Sequence, residues 1–337
     1  MQDVVIVGAA RTAMGGFQGA FGGVEASALG GAAIAAALNG AGVAPDRVEE
    51  VLMGCVLPAG QGQAPARQAG FAAGLPDSVP ATTLNKMCGS GMKAAMIAHD
   101  QIALGSTGLM IAGGMESMTN APYLLPKMRN GARLGHAQVV DHMFLDGLED
   151  AYEKGRLMGS FAEDCATLFQ FSRAAQDDYA LASLNRALAA QASGAFAAEI
   201  APVNVPGKKG DTTVASDEQP ASARPEKIPT LKPAFQKDGT VTAANSSSIS
   251  DGAAALVMCS AKVAAHEGLQ VRARVMGHAS HAHAPALFAT APVPAARKLL
   301  DRLGWTVEDV DLWEVNEAFA VVPMAFMVDM GVPHDKM

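Results

Sequence analysis

Two short runs in the sequence hold residue types able to do covalent chemistry. The first is Asn85-Lys86-Met87-Cys88-Gly89-Ser90-Gly91-Met92-Lys93. Cys88 has glycine at the next and third-next positions and stands where a strand gives way to a helix, read over Gly91–Leu104. A helix beginning there turns free N–H groups and the positive end of its dipole towards the sulfur. Both favour thiolate, the nucleophilic form needed for acyl transfer. The glycines allow close approach of a backbone or a ligand. From Cys-Gly-Ser-Gly alone, a small buried cysteine in a tight turn is an equal reading. The second run is Glu314-Val315-Asn316-Glu317-Ala318-Phe319-Ala320. An amide at Asn316 can hold a water or donate to an oxyanion. Taken alone, the run reads more simply as a helix N-cap followed by an acidic first turn.

Other reactive residue types have plainer readings. His281-Ala282-His283 puts two imidazoles on one face of a strand but brings no third ligand, so no metal site is expected. His99 lies in the predicted helix and reads as a surface or packing residue, and Met92 and Met96 read as core filler. The four cysteines (Cys55, Cys88, Cys165, Cys259) are widely spaced. That excludes a zinc knuckle and a disulfide scaffold, and it suits a reducing, cytoplasmic setting.

The elements that must position these runs follow from hydrophobic pattern. Val4–Gly8, Val48–Met53 and Leu109–Ala112 read as strands, and Ala26–Leu38 and Gly91–Leu104 as helices. Alternation of this kind predicts an α/β protein with a mostly parallel sheet and helices on both faces. Ala41–Leu52 lines up with Leu303–Glu314 at a constant offset of 262 residues, each copy a helix end with Gly, an acidic turn and a strand. Between the copies, Thr119–Asn245 is richer in charge and turn residues and reads as an insertion. The division is therefore 1–118, 119–245 and 246–337.

At 337 residues there is room for about two domains. Half the residues are hydrophobic and 17% are charged, which is globular rather than disordered. A net charge of −8 argues against a nucleic-acid partner. Met1–Ala10 has no basic n-region, so no signal peptide is expected. The longest small-apolar stretches, Gly30–Leu38 and Ala253–Ala261, fall below the roughly 18 residues a membrane span needs.

Together the runs resemble the thiolase family, and the resemblance covers the whole chain. Ala10-Arg11-Thr12, Asn85–Gly91, Gly113–Met118, Val241–Asn245, Asp251–Ala255 and Asn316–Ala320 look like thiolase signatures in family order. The resemblance implies a thiolase-like fold of two similar five-layered-type α/β halves with an inserted loop domain. It implies Cys88 as the acyl-carrying nucleophile and Asn316 as the residue positioning a water in an oxyanion hole. It also implies a pantetheine channel lined by Leu148, Met158, Ala234, Phe235, Ala243, Ser247, Ala318 and Phe319, with Arg224 and Lys227 near the nucleotide phosphates. Leu157 stands where short-chain members typically carry histidine, and Ser248 where many have glycine. Coenzyme A is a substrate here, and no cofactor is expected.

The expected reaction is the reversible condensation of two acetyl-CoA to acetoacetyl-CoA and coenzyme A through an acyl-cysteine. The alternatives are a 3-ketoacyl-CoA thiolase for longer chains, a condensing ketosynthase acting on carrier-protein thioesters, and a non-catalytic acyl-CoA-binding fragment. Family members continue past the position of Met337 with a Gly-His-Pro and a Cys-x-Gly motif. The second half is therefore expected to be incomplete and the 337-residue stretch inactive by itself. A homo-oligomer, dimer or tetramer, is expected, with Lys127–His142 as the loop that joins dimers.

Overall fold

In the computed structural model, residues 2–208 and 210–337 are described. Six strands make the main path of a sheet: Val4–Thr12 (β1), Glu50–Gly54 (β2), Ala81–Leu84 (β3), Leu109–Ser117 (β4), Ser250–Ser260 (β5) and Ala273–Arg274 (β6). Their order across the sheet is β6-β1-β5-β4-β2-β3. The short strands Gly15–Gly16 and Ile200–Ala201 pair with β5 and β1 respectively.

Period-two alternation sends successive residues to opposite faces. Val5, Val7, Val51, Met53, Leu109, Ile111, Val257 and Cys259 share one core with the helices Ala26–Ala41 (α1) and Pro65–Ala72 (α2). Val4, Leu52, Met110, Ala112 and Met258 share another with Ala94, Ala98 and Ile102 of the helix Ser90–Leu104 (α3). The helices flank both faces, as the sequence predicts.

The pairing is mixed rather than mostly parallel, which corrects the sequence expectation. β2 runs parallel to both β3 and β4. β5, however, is antiparallel to both β1 and β4 and lies between them. A strand-by-strand reading sees only neighbours joined by a helix, which pair in parallel. β5 arrives from far down the chain, and nothing local in it encodes its direction.

By compactness the chain divides into two units. The first comprises Met1–Leu148, Gln191–Ala221 and Ile249–Val275, and the second Glu149–Ala190, Ser222–Ser248 and Met276–Met337. The second unit has its own core, from Ala162, Cys165 and Ala166 of Met158–Phe169 (α4), Val293 and Leu300 of Pro292–Leu303 (α6), and Val321, Val322, Ala325 and Phe326 of Val321–Met330 (α7). The long helix Arg173–Ser193 (α5) precedes α6 in the chain.

Both copies of the repeat end their helix alike. Gly42 after α1 and Gly304 after α6 cap with φ of 68° and 67°, a left-handed conformation that glycine adopts without strain. Beyond the acidic turn the copies diverge. The first continues into β2, whereas residues 311–317 form no strand. An apolar run becomes a strand only when another strand pairs with it. Here the Trp313 N–H instead donates to Lys336 C=O, outside any strand, at 2.7 Å.

Candidate active site

The first unit presents Cys88 on a turn between β3 and α3. Met87 has φ of 47°, left-handed for a residue with a side chain, a conformation that persists only when its surroundings hold it. Several bonds do so. Asn85 Oδ1 accepts the Met87 N–H at 2.8 Å, and Ser90 Oγ accepts the Lys86 N–H at 2.8 Å while donating to Met87 C=O at 2.6 Å. The N–H groups of Gly89 and Ser90 donate to Lys86 C=O and Met87 C=O at 3.1 and 3.0 Å. Gly89 is the N-cap of α3, so Cys88 sits one residue before the helix end where N–H groups lack intrahelical partners. Cys88 is exposed, and Cys55, Cys165 and Cys259 are buried. The reading of Cys88 as a small buried cysteine is thereby overturned.

The start of α3 sits directly on sheet backbone. A Cβ on Gly54, the last residue of β2, would fall 2.5 Å from Ser90 Cβ and 2.6 Å from Ser90 C. One on Gly114 would fall 3.3 Å from Gly91 Cα. Sequence reasoning missed this seat, although Gly54 closing β2 and the Gly113-Gly114 pair within β4 were a visible signal. It also missed the bracing of the loop after β2. There Glu116 accepts the Val56 N–H at 2.8 Å and the Leu57 N–H at 3.1 Å, with the Cys55 thiol 3.5 Å away. Asn85 Nδ2 donates to Val56 C=O at 3.3 Å. Burial raises the Glu116 carboxyl, against the pull of the two N–H bonds. Burial, with the Glu116 charge beside it, pushes the Cys55 thiol up to about 12. Next along the chain, His142 is buried with Nδ1 2.7 Å from Asp146, and Leu148 ends the π-helical turn Phe144–Leu148.

The second unit carries Asn316 and most of the residues expected at coenzyme A. Asn316 is exposed, with Val315 before it buried. The helix that follows starts only at Val321, with Ala320 as N-cap. Asn316 is therefore not an N-cap, nor Glu317 a first-turn acid. Glu317 instead accepts from Tyr179 Oη at 3.0 Å and Ser183 Oγ at 2.7 Å, both on α5. Burial and this carboxylate hold the Tyr179 phenol above its usual range.

The stretch is also laced to the 241–247 run. Ser247 N–H donates to Ala318 C=O and Ala320 N–H to Asn245 C=O, each at 2.9 Å. The buried Asn245 amide donates to Asp177 at 3.0 Å and Thr240 C=O at 3.1 Å, and Asp177 is paired with Arg173 at 2.7 Å. Two signature runs far apart in sequence thus form one braced structure.

Of the expected channel residues, Met158, Phe235, Ser247, Ala318 and Phe319 come together. The Phe235 ring lies against Gly159, where a Cβ would meet it at 2.3 Å, and meets Phe319 edge-to-face at 5.9 Å. Met158 and Ala318 pack on the same core. Ala234 joins through its N–H, which donates to Val241 C=O at 2.9 Å. Leu157 is the half-buried N-cap of α4. Ala243, Arg224 and Lys227 stand on exposed turns, the last two at the 3-10 segment Pro225–Thr230. Leu148 belongs to the first unit.

Residues 4–262 match the family described as thiolase, N-terminal domain, and residues 269–337 match thiolase, C-terminal domain. The chain belongs to the thiolase family. Among its relatives, it is 50% identical to acetyl-CoA acetyltransferase 2 of Arabidopsis thaliana, over 99% of this chain and 84% of that protein. It is 48% identical to an acetyl-CoA acetyltransferase of Pseudomonas aeruginosa and 47% identical to one of Cupriavidus necator, each over 98% of this chain and 84% of the relative.

Proposed function

We propose that this thiolase is an acetyl-CoA C-acetyltransferase with Cys88 as its nucleophile. The observation that carries the reading is an exposed cysteine on a braced left-handed turn at the N-terminus of α3, in a chain about half identical to enzymes of that name. The Cys88 sulfur attacks the thioester carbonyl of acetyl-CoA, the C–S bond to coenzyme A breaks, and coenzyme A leaves as thiolate. A second acetyl-CoA loses an α-proton to a base. Its carbanion attacks the acetyl-cysteine carbonyl, which releases the Cys88 thiolate and acetoacetyl-CoA. Asn316 positions a water in an oxyanion hole for the enolate. Coenzyme A is a substrate, held at its pantetheine arm by Leu148, Met158, Ala234, Phe235, Ala243, Ser247, Ala318 and Phe319. The apolar packing of Met158, Phe235, Ala318 and Phe319 supports this, since a thin arm needs a narrow apolar wall. Leu157 borders the thioester end, and Arg224 and Lys227 serve the phosphates.

The enzyme is a homo-oligomer in this reading. Tyr123, Leu125, Met128, Leu134 and Val139 are large apolar residues exposed within one short segment, which suits a surface that a second copy covers. Among the described residues no helix is long and apolar enough to cross a membrane. Free cysteines at all four positions fit a reducing, cytoplasmic compartment.

The test is incubation with acetyl-CoA followed by peptide mass analysis and product assay. An acetyl group on Cys88, lost in Cys88→Ala, is expected, and formation of acetoacetyl-CoA is expected of a version that carries the Gly-His-Pro and Cys-x-Gly motifs. Peak turnover on long 3-ketoacyl-CoAs would move the assignment to the longer-chain thiolase. Turnover with acyl carrier protein but not coenzyme A would move it to a ketosynthase.

A further inference from the structure

We infer that Glu116 is a positioning residue for the nucleophile, acting through the loop after β2 and the side chain of Asn85. The inference rests on the reading of Cys88 as the attacking group. Glu116 stands on β4, and both its carboxylate oxygens are engaged with the loop. Oε2 holds the Val56 N–H at 2.8 Å, and Oε1 holds the Leu57 N–H at 3.1 Å and faces the Cys55 thiol at 3.5 Å. Two adjacent N–H groups fixed by one carboxylate leave the peptide between them little freedom. The Val56 carbonyl is part of the same loop and accepts the Asn85 amide at 3.3 Å. The other end of that amide, Oδ1, accepts the Met87 N–H at 2.8 Å. Met87 is the left-handed residue immediately before Cys88.

The chain of contacts is thus carboxylate, loop, amide, turn, sulfur. A planar side-chain amide cannot shift one end without the other, so displacement of Val56 C=O is passed to the Met87 N–H. Gln61 completes the brace, donating to Cys55 Sγ at 3.4 Å and Leu57 C=O at 2.9 Å. Glu116 makes no contact of its own with the Cys88 turn in these bonds, which is why it positions rather than catalyses. Its carboxylate suits the task better than an amide would, because both N–H groups need an acceptor and an amide offers one oxygen.

The experiment compares wild type, Glu116→Ala, Glu116→Gln, Asn85→Ala, the double variant Glu116→Ala/Asn85→Ala, and Cys88→Ala. The readouts are the rate of Cys88 alkylation by iodoacetamide in the native protein, the maximal rate and half-saturating concentration for Cys88 acetylation by acetyl-CoA, and thermal unfolding. Each single alanine variant is expected to lower the alkylation and maximal acetylation rates between about 10- and 100-fold, as misplacement of a reacting group does. Half-saturation stays as in wild type. The double variant is expected to match the worse single variant rather than the product of the two, because both cut one link. Glu116→Gln is expected to recover part of the loss.

Rates equal to wild type in Asn85→Ala, or a double variant as slow as the product, overturn the link. Asn85 is exposed, so its variant answers even if Glu116→Ala folds poorly. Alkylation does not depend on turnover. If acetylation persists in Cys88→Ala, it is the nucleophile assignment that falls, whatever the alkylation series shows.

Discussion

Burial separates one thiol from three. It pushes Cys55 up to about 12, with Glu116 adding to it, and Cys165 and Cys259 up to about 11, with Asp329 and Glu267 adding to each. Thiolate is the reactive form, so native protein at pH 8 is expected to take up one equivalent of iodoacetamide, on Cys88, and four after denaturation. Intact mass before and after guanidinium reads this directly. A second prediction concerns Tyr179. Tyr179→Phe removes the donor to Glu317 and is expected to cost about 0.5–1.5 kcal/mol in chemical denaturation. Cys88 and Asn316 stood out in the sequence as residue types able to do this chemistry, but their immediate neighbours left a buried turn and a helix N-cap open, and only the resemblance of the runs to a family gave them roles. The Asn85–Val56–Glu116 link was not, because it joins three segments distant in sequence and shows only when β2, β3 and β4 lie side by side. The exposure of Cys88 was likewise undetermined, since Cys-Gly-Ser-Gly suits a buried turn equally well.

Elements here are held by close backbone contact and by carboxylate staples. Gly54→Ala puts a methyl into the backbone of Ser90, so the start of α3 must lift from the sheet. Overpacking of this kind is expected to cost about 1–3 kcal/mol and to slow Cys88 alkylation. An equal loss of stability without change in alkylation would separate the seat from the nucleophile. The end of β1 is tied down by Asp217, which pairs with Arg11 at 2.7 Å and accepts the Met14 N–H at 2.8 Å. Burial pulls its carboxyl upward, but the guanidinium and the N–H hold it below its ordinary 3.8. A carboxyl depressed in the folded state adds stability that is present above the ordinary value and is lost as pH falls through the depressed one. Unfolding midpoints between pH 5 and 2 are therefore expected to fall more steeply for wild type than for Asp217→Asn. The helices and the first strands were legible from periodicity and glycine stops. The direction of β5 and the missing strand at 311–317 were not, because pairing is a property of partners and not of the segment.

At the scale of the molecule, the surface around residues 123–139 and the order of the sheet matter most. Leu134 is 96% exposed. Leu134→Lys is expected to shift sedimentation towards a smaller assembly while leaving Cys88 alkylation unchanged. The sheet order carries a different consequence, one of time. β5 lies between β1 and β4, yet its residues are made long after theirs. At ordinary synthesis rates the interval is on the order of ten seconds. For that period a nascent chain on the ribosome has two apolar strands whose shared partner does not yet exist, each with an open row of N–H and C=O groups. β2, β3, α2 and α3 can already gather on one side of β4, but the sheet stays split at its centre. Ribosome-stalled chains ending before residue 250 are expected to be cut by protease within β1 and to bind chaperone. Chains whose residues up to 275 have emerged are expected to resist. The last long strand into the sheet is one at its middle, which leaves the newborn chain most in need of shelter just before residue 250 emerges.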